Sequence, residues 1–285
     1  MRARSSGWGT KLVLLVASLV GLASFLYPFF LSEVPQSADQ NGGQTGLAPL
    51  MFAGVSAVCL VAMLVSVSEE QSVSRSRQVA LLGVLVAIDA TLRLVPSVLG
   101  ASPIFLLIML VGAVFGASLG FQMGVLTLLF SGLITGGVGP WLPFQMLVAG
   151  WVGLTAGWLP RPASMRWRLA MLAVFGAGWG FLFGALMNLY FWPFSAPGAG
   201  EASSLYWSPG LGFGETVGRY VQFYLVTSSA FDVARAIGNV VLVLVFGGPV
   251  LRLLDRYRSR FTWQPWEEFR PTDSARGTPV SPTGS

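Results

Sequence analysis

Long apolar segments recur along most of the chain, and they restrict its fold more than any other feature of the sequence. The segment Leu12–Leu31 contains no charged residue, and Ala48–Val67 repeats the pattern. A helix needs about 20 apolar residues to cross the roughly 30 Å hydrocarbon core of a bilayer. Charged residues make up only 10% of the chain, against about 25% in soluble domains. The sequence therefore predicts an all-α, polytopic membrane helix bundle.

We predict about eight transmembrane helices, a two-helix leader followed by a six-helix core. The predicted spans are Leu12–Leu31, Ala48–Val67, Val79–Leu99, Ile104–Leu119, Phe121–Thr135, Pro143–Leu159, Leu169–Trp192 and about Phe231–Leu254. An outer amphipathic stretch from Tyr220 precedes the last span, and the short fourth and fifth spans are predicted to form a tight hairpin at Gly120. Because its apolar run exceeds the 7–15 residues of a signal peptide, the first span is expected to be retained.

A charged segment, residues 68–78, separates the predicted leader from the core. We therefore expect three regions: a leader over 1–76, a substrate-binding core over 77–258, and a cytoplasmic tail over 259–285. The tail is rich in Pro, Ser, Thr and Arg, and this composition favours partial disorder.

The basic residues set the predicted orientation of the spans. With both termini in the cytoplasm, fourteen of the seventeen Lys and Arg residues lie in cytoplasmic segments, and the outer loops contain only Arg219. This one-sided distribution follows the positive-inside rule and predicts an N-in, C-in topology. A seven-span alternative, in which the hairpin is misread, would place the cluster Arg161–Arg168 outside.

The composition excludes several kinds of chemistry. The chain has no histidine and a single cysteine, Cys59, which excludes a Ser-His-Asp triad, an internal disulfide and a His- or Cys-cluster metal site. Lys11 is the only lysine and lies outside any GxxxxGK[ST] pattern, so the chain has no P-loop with which to hydrolyse ATP. We expect no enzymatic activity, no cofactor and no metal site.

Polar side chains are few within the predicted spans, and each is costly there. Asp89 and Arg93 are four residues apart with the acid first, the favourable order for a helical ion pair. Asp232, Arg235 and Asn239 share one face of the last predicted helix. These groups either form internal salt bridges that fix helix packing or line a polar cavity open to the outside, and the sequence leaves both interpretations open.

The outer connections are rich in glycine, proline and aromatic residues. Between the fifth and sixth spans, residues 136–146 read GGVGPWLPFQM, which is too dense in Gly and Pro to continue a helix. Trp141 and Gln145 offer a flat surface and hydrogen-bonding groups there, as do Trp192 and Asn188 near the end of the seventh span. Interfacial Trp anchors would explain the pattern without a ligand. The functional interpretation is a site for a partly apolar, ring-containing molecule.

Three of these motifs together resemble the substrate-binding S components of energy-coupling factor (ECF) vitamin transporters. The motifs are Gly139-Pro140-Trp141-x-Pro143-Phe144-Gln145-Met146 followed by Gly150, Gly153 and Gly157, then Asn188-x-x-x-Trp192-Pro193-Phe194, and Asp232-x-x-Arg235-Ala236-x-Gly238-Asn239. The similarity covers the body from Arg77 to about Arg260 and is nearest to S components of the predicted cobalamin type. The two leader spans depart from the six-helix pattern of this family.

The resemblance implies a function and a set of partners. It implies that the protein captures a vitamin or related micronutrient outside a bacterial plasma membrane, topples within the bilayer and releases its cargo inside. The implied ligand contacts are Trp141, Gln145, Asn188 and Trp192, with Asp232, Arg235 and Asn239 lining the cavity floor. It also implies a membrane scaffold (T) subunit, bound through an Ala-x-x-x-Ala-like face that Gly83-x-x-x-Ala87 matches best, and two cytoplasmic ATPase subunits.

Other functions remain open at this point. An ion-coupled secondary transporter would use Asp89 or Asp232 as its proton carrier, although each has an arginine within one turn. A non-transporting membrane scaffold would bind a protein partner but no small molecule. An intramembrane enzyme is disfavoured because the chain offers no DxxxD pair for Mg²⁺.

Overall fold

The computed structural model describes residues 8–30, 72–95, 101–194 and 205–260, together with isolated positions between 54 and 61. All regular elements in these ranges are helices, which confirms the predicted all-α fold. In chain order they are α1 Trp8–Leu26, α2 Ser72–Leu92, α3 Ile104–Phe115, α4 Ala117–Thr135, α5 Leu142–Ala156, α6 Met165–Phe191, α7 Phe213–Thr227 and α8 Ser229–Arg260. Short 3-10 helices follow α1, at Tyr27–Phe30, and α6, at Trp192–Phe194.

Most of the described helices are apolar enough to be membrane segments. Those long enough to cross a membrane unaided are Trp8–Phe30, Ala117–Thr135, Met165–Phe194 and Ser229–Ser259. Shorter apolar helices cover Gln78–Leu92, Ile104–Phe115 and Leu142–Ala156. These segments confirm a helical membrane bundle. The second predicted span, Ala48–Val67, lies almost entirely outside the described residues, as does the tail after Arg260.

Helix α3 forms the centre of the bundle. Every residue from Ile104 to Val114 is buried, and the helix contacts α2, α4, α5, α6 and α8. Because it is apolar on all sides, this helix can pack against neighbours in every direction without burying an unpaired polar side chain.

The hairpin between α3 and α4 is present, but its turn was predicted at the wrong glycine. The helix breaks at Gly116, whose φ of 107° lies in the left-handed region that side chains disfavour. Gly120, the predicted turn residue, lies within α4 and packs against Gly112 and Gly153. Because Gly112 and Gly120 meet on either side of the break, α3 and α4 are two helices folded back on each other, which favours the eight-span interpretation.

Helices α4 and α5 pack with their backbones nearly in contact. A Cβ atom on Gly153 would lie 1.9 Å from the carbonyl oxygen of Gly120, and one on Gly124 would lie 2.1 Å from that of Ala149. Small residues permit this close approach between membrane helices. Since residues later in α4 lie against residues earlier in α5, the two helices are antiparallel, as consecutive membrane spans must be.

Several helix ends differ from their predicted positions. Helix α2 ends at Leu92 rather than at Leu99, shortly before Pro96, and a proline disfavours helical backbone in the residue that precedes it. The predicted outer amphipathic stretch is the separate helix α7, which ends at Thr227 and is followed directly by α8.

Candidate functional site

The glycine-rich turn between α4 and α5 presents the first two predicted site residues. Gly136 ends α4 with a left-handed φ of 68°, and α5 begins with Pro143 in its first turn, as the sequence predicts. The side chain of Trp141 is 42% exposed and its ring lies against Gly139, where a Cβ atom would be 2.5 Å away. Gln145 follows in the first turn of α5, and its Oε1 atom is buried without a hydrogen-bond partner.

The C-terminal end of α6 lies beside the beginning of α5. The rings of Phe144 on α5 and Tyr190 on α6 have centroids 4.3 Å apart. Asn188 lies two residues before Tyr190, and its Nδ2 atom is also buried without a hydrogen-bond partner. Gln145 and Asn188 therefore lie at the same end of the α5–α6 pair, where one offers an acceptor and the other a donor.

Trp192 is fully buried in a group of aromatic residues at the end of α6. We call this group the outer aromatic cluster; its buried members are Trp192, Trp207 and Phe223. The indole Nε1 of Trp192 donates a hydrogen bond to the carbonyl oxygen of Leu205 at 2.9 Å, and its ring meets that of Tyr220 edge-to-face at 5.1 Å. Trp192 thus attaches residues 205–212 and α7 to the end of α6.

The predicted polar face of α8 packs against a row of glycines on α6. The glycines in this row are Gly176, Gly180 and Gly184. A Cβ atom on the last of them would lie 2.0 Å from Oδ1 of Asp232. Arg235 donates to the carbonyl oxygen of Gly180 at 3.0 Å, and Nδ2 of Asn239 donates to that of Gly176 at 2.8 Å. The shared face was predicted correctly, and what it meets in the structure is helix α6.

Asp232 links three helices through its carboxylate. It forms an ion pair with Arg235 one turn further along α8, and it accepts a hydrogen bond from the Tyr224 hydroxyl of α7 at 2.8 Å. Burial and this hydrogen bond raise the pKa of Tyr224 to about 12, so the phenol keeps its proton and remains the donor. The Arg235 guanidinium also lies over the ring of Phe183, 5.4 Å from its centroid. Asp232 and Arg235 therefore form an internal salt bridge, one of the two arrangements that the sequence left open.

Asn239 lies deeper in the bundle than the other predicted residues on the α5, α6 and α8 helices. Asn239 bonds to Gly176, which at 1.5 Å per residue lies about 18 Å below Asn188 along α6. Asp232 lies against Gly184, only about 6 Å below Asn188 by the same measure. The structure thus places Gln145, Asn188 and Asp232 near this end of α6, Arg235 somewhat deeper and Asn239 deepest in the bundle.

The ion pair predicted between Asp89 and Arg93 is not formed. Because α2 ends at Leu92, Arg93 lies in the following turn and not one helical turn beyond the acid. Asp89 instead accepts a hydrogen bond from Thr127 at 3.0 Å, and Arg93 donates to Ser131 at 2.9 Å. Thr127 and Ser131 both belong to α4. The two hydrogen bonds therefore hold α2 and the turn that follows it against α4.

Unpartnered polar atoms occur on three of the seven residues predicted to contact the ligand or line its cavity. Within the described ranges, the buried side-chain atoms without a hydrogen-bond partner are Asp89 Oδ1, Gln145 Oε1, Asn188 Nδ2 and Asn239 Oδ1. Such atoms are uncommon in native proteins and call for an explanation. Three of the four belong to residues that the sequence assigned to the ligand. The same ranges contain no group of three Cys, Asp or Glu side chains that could hold a metal ion.

Two contacts of the site were not predicted from the sequence. Tyr224 reaches Asp232 from a different helix, and Phe29 of the leader packs against Trp192. The sequence pattern predicts helices at both places, but it contains no indication of which neighbours their side chains meet.

Comparison with protein families identifies the chain. Residues 77–247, more than half of its length, match the family described as ECF transporter, substrate-specific component, and the protein belongs to this family. It is therefore the substrate-specific membrane component of an ECF importer, a transport-binding subunit and not an enzyme. Membership implies association with T and ATPase subunits and a small-molecule substrate. Comparisons with curated proteins and with solved structures gave no significant match.

Proposed function

We propose that this protein captures a vitamin or related micronutrient at the outer face of a bacterial plasma membrane, for uptake driven by its ATPase partners. The observation that carries the proposal is the pair of buried, unpartnered amide atoms on Gln145 and Asn188. They lie at one end of the α5–α6 pair, next to the Phe144–Tyr190 contact. Neutral donor and acceptor groups beside aromatic rings suit an uncharged, ring-containing molecule with hydrogen-bonding edges.

The proposed ligand contacts differ in how readily they can be reached. Trp141 is partly exposed and stands at the entrance, whereas Trp192 is fully buried among its aromatic neighbours and is the least accessible of the proposed contacts. Asp232 and Arg235 form the upper part of the proposed cavity floor. Asn239 is its deepest member, with Oδ1 as a free acceptor.

The exposed face of α2 supports the proposed docking of the T subunit. Gly83 and Ala87 are exposed, and a Cβ atom added to Gly83 would meet nothing within 4 Å. Val84 and Ile88 extend the same apolar surface. Small residues on an open face let another membrane helix approach closely. We propose that two ATPases complete the complex, and that the whole protein topples within the bilayer. Its proposed regions are a leader over 1–76, a substrate-binding core over 77–258 and a tail over 259–285.

Uptake measurements test this proposal. The protein is co-expressed with a T subunit and an ATPase pair, and cells are given a panel of radiolabelled vitamins that includes cobalamin. We expect one panel member to accumulate, and accumulation to stop when the P-loop lysines of the ATPases are replaced by alanine. If no panel member is taken up and the purified protein retains no small molecule, while the T subunit still co-purifies, the scaffold alternative is favoured.

Replacing Asp89 distinguishes an ATP-driven importer from an ion-coupled transporter. Asp89→Asn is expected to leave the initial uptake rate within about twofold of wild type, because asparagine keeps the oxygen that accepts from Thr127. Uptake should also persist when an uncoupler removes the proton gradient but ATP is maintained. Loss of uptake in both experiments would support the ion-coupled alternative instead.

A further inference from the structure

The leader helix α1 lies along α5, although it is outside the residues that match the family. Its buried residues fall on one face: Thr10, Leu14, Ala17, Gly21, Ser24 and Phe25. A Cβ atom on Gly21 would lie 2.0 Å from Cδ2 of Leu147, and the indole Nε1 of Trp151 donates a hydrogen bond to Ser18 Oγ at 2.9 Å. Close approach and a hydrogen bond between the helices indicate a specific docking of the leader on the core.

At its outer end, α1 touches the beginning of the candidate site. The ring of Phe25 is almost completely buried and packs edge-to-face on Phe144, with centroids 5.0 Å apart. Phe144 directly precedes Gln145 in α5. The leader therefore contacts the residue that adjoins one of the two unpartnered amides.

Beyond the helix, the 3-10 helix Tyr27–Phe30 reaches the outer aromatic cluster. The ring of Phe29 meets Trp207 edge-to-face at 5.4 Å and lies 6.0 Å from Trp192. Phe29 thus bridges the end of α6 and the segment that precedes α7. Its neighbour Phe30 points away from the protein and is 85% exposed.

We propose that Phe25 and Phe29 are positioning residues for substrate binding, so that the leader is part of the binding machinery. This inference rests on the proposed function. Phe25 fixes Phe144 and with it the first turn of α5, where Gln145 lies. Phe29 holds Trp192 and Trp207 together and so keeps residues 205–212 against the end of α6.

Matched alanine variants of neighbouring phenylalanines test the proposal in the full-length protein. We expect Phe29→Ala to increase hydrogen exchange across residues 205–227. We also expect it to weaken, by about tenfold, the affinity for the panel vitamin that the wild-type protein binds, while the number of binding sites per protein stays unchanged. Phe30→Ala should change neither the hydrogen exchange nor the affinity. Phe29→Tyr, which keeps an aromatic ring, should show the wild-type values of both. Phe25→Ala should weaken binding without increasing exchange in 205–212, because it acts through Phe144. If Phe29→Ala does not fold, Phe29→Leu keeps apolar bulk and removes the aromatic contact.

The outcomes separate this inference from the proposed function. Unchanged exchange over 205–227 in the Phe29 variants would overturn the positioning role, and so would increased exchange with unchanged affinity. If the wild-type protein binds no vitamin in the panel, the proposed function fails. The exchange measurement then decides by itself whether the leader holds the outer aromatic cluster.

Discussion

Replacing Gly153 with alanine is expected to lower the free energy of unfolding by about 1–3 kcal/mol, the usual cost of overpacking a close contact. A Cβ atom there would lie 1.9 Å from the carbonyl oxygen of Gly120. Backbone atoms cannot rotate out of the way as the end of a flexible side chain can, so α4 and α5 would have to separate. The loss should appear as a lower unfolding midpoint in detergent.

Gly178 provides the matched control for this change. It lies within α6, and a Cβ atom added to it would meet nothing within 4 Å. Gly178→Ala is expected to leave the free energy of unfolding unchanged or to raise it by about 0.5–1 kcal/mol, since alanine loses less backbone entropy on folding. Equal effects of the two substitutions would contradict the close packing of α4 on α5.

Leucine in place of Gln145 or Asn188 is expected to weaken substrate binding without destabilising the protein. Each amide has a buried atom with no hydrogen-bond partner, and exchanging such a group for an apolar one of similar size is neutral or stabilising. If each amide forms a hydrogen bond to the substrate, each variant should bind the panel vitamin about 5–150-fold more weakly, as follows from losing about 1–3 kcal/mol. Affinity and unfolding midpoint are measured on the same purified samples.

Gln122 is a suitable control because it is a buried glutamine outside the candidate site. Its Nε2 donates to Ser118 within α4 at 3.3 Å. Gln122→Leu should leave the affinity for the panel vitamin unchanged. The site assignment would be contradicted if the Gln145 and Asn188 variants bound the panel vitamin with wild-type affinity. It would also be contradicted if these variants lost as much stability as a protein loses when a hydrogen-bonded buried amide is replaced.

The sequence predicts those parts of the fold that depend on local chemistry. Glycine and proline density located the turn before α5, because a dense run of the two residues disfavours a continuous helix. Spacing along one helix placed Asp232, Arg235 and Asn239 on a common face, since the helical period fixes which side chains align. The hairpin between α3 and α4 was also predicted, but its turn was placed at Gly120, whereas the backbone angle identifies Gly116.

Contacts between distant parts of the chain could not be predicted in the same way. Spacing alone paired Asp89 with Arg93, but the helix ends between them and each bonds to α4 instead. The row of glycines on α6 could pack against any neighbouring helix, and its contact with α8 depends on how the helices assemble. The docking of Phe29 on the outer aromatic cluster likewise joins residues far apart in the sequence.

Cysteine labelling in intact cells decides whether the turn between α4 and α5 faces the exterior, as capture from outside requires. Cys59→Ser first removes the only cysteine, and Val138→Cys then places one at an exposed position in the turn. Ala163→Cys, exposed in the α5–α6 loop, serves as the cytoplasmic control. We expect a membrane-impermeant maleimide to label the first variant in intact cells and the second only after permeabilisation. The reverse pattern would place the candidate site in the cytoplasm and contradict capture at the outer face.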